Sequence, residues 1–239
     1  VDGAGQSAEN AREVLAVVNR RADYAYINTD SSLDDGLELV THPCTLAEHE
    51  TNVPWQDCLD IFRALGYCSH NAGTCGLHIH VNRDGLGVDA VAQDETIAKI
   101  LYLFERFWQE VLRFSRRTES QMNHWAARYG YKNTGKEILE HAKYDSSNGR
   151  YACVNLTNAN TIEFRAFRGT LKYNTLIATL QFVDRICKVA LSMPEADLRA
   201  MSWPEFVLHL TDDQTPELIR YLKERRLYPN EPIATEREV

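Results

Sequence analysis

The chain has 239 residues, 44% of them hydrophobic, which is enough to bury a sizeable core without disulfide or metal staples. Its formal net charge is -8 and it has no Lys/Arg-rich block of five or more, which excludes nucleic acid as the main partner, because backbone phosphate binding needs a basic stripe. No apolar run approaches the roughly 20 residues of a membrane helix, and the N-terminus lacks the basic-then-apolar layout of a leader, so a soluble cytoplasmic protein without membrane contact is expected.

In chain order, "SAENAREVLAVVNRRA" carries a cap candidate at Ser7 and apolar residues at Val14, Leu15, Val17 and Val18, the spacing of an amphipathic helix. "DYAYINTD" and "GLELVTHP" read as strands around the turn "SSLDDG", with Pro43 ending the second. Helical spacing through Leu59, Phe62 and Leu65 follows Pro54, and Gly66 is placed to close that helix. "CGLHIHVNR" is the next strand. "DETIAKILYLFERFWQEVLRF" predicts one long helix with an apolar stripe from Ile100 to Phe114.

Residues 115–150 are polar and mixed, with a short helix expected at "KEILEHAKY", and form the candidate substrate loop. "YACVNLT" and "TIEFRAFRG" then predict a hairpin. Helices from about Asn174 to Ser192 and after Pro204 and Pro216 lead to a charged tail. Strand pairs separated by helices imply an α+β fold with a largely antiparallel sheet. A domain over 1–192 with a helical C-terminal appendix over 193–239 is expected. Six cysteines without a CxxC pair point to free, mostly buried thiols in a reducing compartment.

Period-two counting puts His78 and His80 on one face of their strand and Leu77, Ile79 and Val81 on the other. Glu163 and Arg165 pair in the same way against Ile162 and Phe164, and Glu38 opposes Leu37 and Leu39. Three strands each carrying a Glu, His or Arg face suggest a site rather than an ordinary solvated surface. Carboxylates with imidazole suit Mg²⁺ or Mn²⁺, while Arg165 and Arg168 offer planar forks to phosphate or carboxylate. The plainer readings are hydrogen-bonded structural histidines, a cross-strand ion pair, and a solvated Glu38. Arg116 and Arg117 at a helix end either complement its dipole or grip a phosphate.

The ordered stretches "DSSLDDGLELVTHP", "GLHIHVNR", "FSRR" and "VNLTNANTIEFRAFRGTL" resemble the amidoligase family, a branch of the glutamine synthetase-like carboxylate-amine ligases. The similarity runs from about Tyr24 to Val189. It implies a glutamine synthetase-like curved antiparallel sheet, with the site on its concave face and helices packed on the outer face. It also implies an ATP- and Mg²⁺-dependent reaction in which a small-molecule or peptide carboxylate becomes an acyl phosphate and is captured by an amine.

Carried onto this chain, the resemblance implies metal binding by Glu38, His78 and Glu163. It matches Arg165 to an arginine that contacts the phosphates and His80 to a nucleotide-proximal residue, while Asn155 and Arg168 are family-typical; nucleotide contacts are expected of His80, Arg165, Asn155 and, from its place at the helix end, Arg117, and catalytic roles of Glu163, Arg165 and Arg168. Family members usually begin with a strand bearing an ExE pair; the chain is expected to lack that strand, leaving the metal short of carboxylates. Two other readings stay open at the level of sequence. One is a metal-dependent amidohydrolase-type hydrolase, which wants further His ligands and an Asp. The other is a truncated non-catalytic module that holds a nucleotide or peptide.

Overall fold

The computed structural model describes residues 1–144 and 149–229. The charged tail and residues 145–148, near the end of the candidate substrate loop, lie outside the described residues. Helix α1 (Ala8–Val18) begins where the Ser7 hydroxyl accepts the backbone N–H groups of Glu9 and Asn10, and it buries Val14 and Val18. Strands β1 (Ala25–Asn28) and β2 (Glu38–Thr41) form the expected antiparallel hairpin, with Asn28 opposite Glu38. Helices α2 (Leu46–Thr51) and α3 (Trp55–Ala64) follow, and Gly66 adopts φ +88° just beyond α3, a left-handed turn that glycine enters without strain.

Strand β3 (Gly76–Asn82) runs into a single 3₁₀ turn and then into α4 (Ala90–Arg106), which is capped by Asp89. Helix α4 is buried on every side from Thr96 to Glu105, as expected of a central core helix. The long helix expected from the apolar stripe breaks at Phe107, whose ψ of 34° leaves the helical range, and resumes as α5 (Trp108–Ser115). Tertiary packing explains the break. Phe107 stacks on Phe206 at 4.9 Å, while the turned α5 lays Phe114 on Phe182 at 4.2 Å.

The polar stretch holds α6 (Glu119–Trp125), closed by a Thr118/Gln121 capping box, as well as the expected helix, here α7 (Gly135–Tyr144). The second predicted hairpin is shorter than the pattern suggests: β4 is only Val154–Asn155, paired with β5 (Thr161–Arg168). Helix α8 (Tyr173–Ser192) spans two apolar clusters. Its Leu176 and Ile177 join α1, α3 and the β1–β2 hairpin, while Phe182, Val183 and Ile186 join the sheet and α4. Helices α9 (Glu195–Ala200), α10 (Trp203–Leu210) and α11 (Pro216–Glu224) contribute Leu198, Phe206 and Leu222 to that second cluster, so packing is continuous across residue 192.

The fold is thus mixed helix and small antiparallel sheet, consistent with α+β. Among the described residues the strands form two sheets, β1–β2 and β3–β5–β4. Glu38 therefore sits on a different sheet from His78 and Glu163.

One irregularity decides which side chains share a face. From Asn82 to Ile79, strand β3 pairs with β5 in one register, and His80 lies opposite Glu163. Beyond it Leu77 pairs with Phe167 and Gly76 with Arg168, so His78 alone opposes both Arg165 and Ala166. This β-bulge reverses the alternation of β5. Phe167 turns into the core beside Phe114, and Arg168 emerges on the side of Glu163.

Candidate functional site

Glu163 lies at the centre of the site, 5% exposed on the middle strand of the three-stranded sheet. Its two carboxylate oxygens are separately held. Asn155 Nδ2 donates to Oε2 at 2.7 Å from the directly opposed position on β4, and an Arg165 guanidinium nitrogen donates to Oε1 at 2.7 Å. His78 Nδ1 stands 3.4 Å and His80 Nε2 3.7 Å from the same Oε1. Burial alone would raise the Glu163 pKa, but the Asn155 hydrogen bond, the Arg165 charge and the two imidazoles outweigh it and hold the carboxyl below its ordinary value.

The two histidines differ. Burial, reinforced by the Arg165 charge and opposed by Glu163, pushes His78 down to about 4, so it is neutral at physiological pH and has a lone pair to offer. The short His78–Glu163 approach is therefore a contact between a dipole and a charge rather than an ion pair. His80 is half exposed at the rim, its Nδ1 3.2 Å from the Thr161 hydroxyl.

Space around His78 is set by Gly76. A Cβ there would meet His78 Nε2 at 2.6 Å and an Arg117 terminal nitrogen at 2.9 Å, closer than real side chains approach. Arg117 donates to the Phe167 carbonyl at 3.2 Å, and burial together with the charges of Arg165 and Arg168 pushes it down to about 10. Arg168 donates to the Arg116 carbonyl at 3.3 Å. The Nε atoms of Arg116, Arg117 and Arg165 are buried without a hydrogen-bond partner, an unmet donor set of the kind an oxyanion satisfies.

Glu38 is half-buried and belongs to the same electrostatic neighbourhood. Burial first, then the negative charges of Asp30 and Glu163, push its carboxyl up. Two participants have no precedent in the sequence reading. Asp30, just past β1, accepts the Ser32 N–H at 2.8 Å, and although burial raises its pKa, the Ser32 hydrogen bonds and the Arg150 charge help to hold it below its ordinary value. The Tyr151 ring lies 5.6 Å from the Arg165 guanidinium. The signal for both was weak: Asp30 ends a strand in a run of small polar residues, and Tyr151 reads as an ordinary strand aromatic.

Asn155 supports Glu163 from the neighbouring strand. It is 2% exposed, its Nδ2 is used on Glu163, and its Oδ1 accepts the Thr157 N–H at 2.9 Å. It holds Glu163 in place through that amide. The expected metal set of Glu38, His78 and Glu163 suits a hard divalent ion by donor type. Among the described residues, however, no three His, Cys, Asp or Glu groups converge closely enough to hold one. Glu38 stands on the other sheet, and Glu163 Oε1 is paired with Arg165.

All six cysteines are free, and four of them are buried. Among the described residues no helix is long and apolar enough to cross a membrane. The model of a family described as "putative amidoligase enzyme" matches residues 16–187, well over half of the chain and including every site residue named above. No similarity to a curated protein or to a solved structure was found.

Proposed function

The chain belongs to the amidoligase family, and on that premise we propose that it joins a carboxylate to an amine in an ATP- and Mg²⁺-dependent ligation through an acyl phosphate. The substrate carboxylate oxygen attacks the γ-phosphorus and ADP leaves. The amine nitrogen then attacks the acyl carbon, loses its proton, and inorganic phosphate departs. Small molecules or peptides supply the carboxylate and the amine.

The observation that carries this reading is the group of arginines around Glu163 whose buried Nε atoms lack partners. Phosphoryl transfer needs positioning and charge neutralisation above all, and fixed guanidinium forks supply both. Arg165 and Arg168 are the proposed catalytic arginines. Arg117 and His80 line the nucleotide side, with Asn155 holding Glu163 in place. Glu38, His78 and Glu163 are the proposed donors to Mg²⁺ or Mn²⁺, which when bound supplies charge neutralisation for the phosphates. Neutral His78 is competent as such a ligand, and Glu163 becomes so when Arg165 turns toward phosphate.

The small sheets are read as part of a glutamine synthetase-like curved sheet. Cytoplasm is the proposed compartment, supported by the free thiols.

The test is release of ADP and phosphate by the protein with Mg·ATP and paired carboxylate and amine panels. Turnover should require both substrates, and Glu163→Gln should lower it by about 10²-fold or more, the scale of losing a group that acts on transition-state charge. A protein that binds no ATP, with a Glu163→Gln variant that behaves like wild type, sinks the reading.

A further inference from the structure

A groove of about 830 Å³ opens beside the site, between α5, the end of β5, the start of α10 and the segment after α11. Six arginines line it: Arg113, Arg116, Arg117, Arg168, Arg225 and Arg226. Glu110 is the one acid among the described residues of its wall.

None of the six forms an ion pair among the described residues. Instead, the guanidinium groups of four of them, Arg116, Arg117, Arg168 and Arg225, lean on main-chain carbonyls. Arg225 donates to the Arg113 carbonyl at 2.8 and 3.0 Å, Arg116 to that of Gly169 at 3.5 Å, and Arg117 to that of Phe167 at 3.2 Å. Neutral carbonyls orient a cation without cancelling its charge. The Nε atoms of Arg116 and Arg117 remain buried and unpartnered.

The backbone is committed to this arrangement. Among the described residues, the non-glycine positions with left-handed φ are Arg116 at 62° and Arg226 at 55°, and both are on this groove. Such conformations are disfavoured for residues with a Cβ and persist where the surroundings hold them. Six like charges gathered around one concavity on a chain of net charge -8 is an arrangement that folding alone does not need, since like charges at close range are destabilising.

We propose that the groove binds an organic polyanion carrying several carboxylates, of the size of a short acidic peptide. Guanidinium forks match carboxylate geometry. Between them lie the apolar and aromatic surfaces of Leu112, Trp203, Leu227 and Tyr228, which suit the carbon backbone of a peptide better than a bare phosphate chain. Arg117 and Arg168 belong to both the groove wall and the Glu163 neighbourhood, so the bound molecule leads into the site. That it is the carboxylate substrate rests on the ligase reading; that it binds does not.

The test is titration calorimetry with tetraglutamate in the absence of nucleotide and metal, with inorganic tripolyphosphate as a second arm. Arg113 and Arg226 are exposed, and among the described residues their side chains make no hydrogen bond or ion pair. Arg113→Gln/Arg226→Gln should therefore stay folded by circular dichroism while tetraglutamate binding weakens about tenfold or more, the scale of two lost charge-assisted contacts. Glu110→Gln, which removes the acid from the described wall, should tighten it. No tetraglutamate binding by wild type, equal affinity in the double variant, or tighter binding of tripolyphosphate than of tetraglutamate overturns the proposal. Tetraglutamate binding that persists in a protein without ligase turnover supports the groove and refutes only the reaction.

Discussion

Glu163 and Arg168 stand on one face of β5 although an odd number of positions separates them, because His78 on the neighbouring strand opposes two residues instead of one. The bulge turns a strand that would offer one arginine to the site into one that offers two, and it seats Phe167 in the core by the same shift.

The Glu163–Arg165 pair is predicted to be strongly coupled. Arg165→Ala leaves a nearly buried carboxylate with only Asn155 and two partly available imidazoles, and should destabilise by about 3 kcal/mol, the low end for breaking a buried pair. The double variant Glu163→Gln/Arg165→Ala should be more stable than the sum of the singles predicts. Denaturant unfolding of the four proteins gives the coupling, and strict additivity is the outcome that contradicts it.

Gly76→Ala should separate fold from function. The atoms an added methyl would meet are the far ends of His78 and Arg117, which can swing aside, so thermal unfolding should change by less than about 1 kcal/mol. Ligase turnover should nevertheless fall, because the imidazole has moved. Unchanged turnover shows that the His78 position is not critical.

Gly135→Ala makes the opposite case. A Cβ at the start of α7 would run into the main-chain carbonyl of Ala98 on α4, which has no freedom to yield. A loss of about 2 kcal/mol is expected, the usual cost of overpacking. A variant that melts with wild type would show that the two helices can part cheaply.

Acid should release the segment before β2. Asp2 is buried and accepts the N–H groups of Gly3, Asp34 and Asp35 at 2.7 to 3.0 Å and the Thr74 hydroxyl at 2.6 Å. Burial pushes its pKa up, but these hydrogen bonds outweigh it and leave the value below the ordinary 3.8. The folded state therefore favours the ionised form. Its contribution is complete above 3.8 and is lost as pH falls through the lower folded value. Asp2→Asn should cost about 1 to 3 kcal/mol near neutral pH, with the gap to wild type closing in acid. A gap independent of pH rules out the ionised carboxylate as its source.

Much of the site was legible where a strand alternates cleanly. Leu77, Ile79 and Val81 pack against the core as period two requires, and Glu163 faces His80 across the ladder. The Ser7 cap and the Gly66 turn were equally readable, since both are local chemistry. What escaped was set by distant partners. The face of Arg168 depends on a bulge opposite His78, and the break at Phe107 depends on aromatic partners almost a hundred positions away. The hold of Asn155 on Glu163 is visible only once β4 and β5 are paired. The arginine groove was invisible for a similar reason: its six members come from three separate stretches of chain.

Strand β4 is two residues long, too short to keep its own place, yet it carries the amide that holds Glu163. Its tether is Tyr129, whose hydroxyl donates to the Val154 carbonyl at 2.9 Å and whose backbone N–H is fixed at 2.8 Å by the buried Glu105 of α4. Arg128 closes the same anchor with an ion pair to Glu105 at 2.6 Å. Local opening of the 126–131 segment would therefore unhook β4 and free Glu163 in one event. The core helix α4 acts through this linkage as a clock for the site, and hydrogen exchange at Tyr129, Asn155 and Glu163 should run at a common rate.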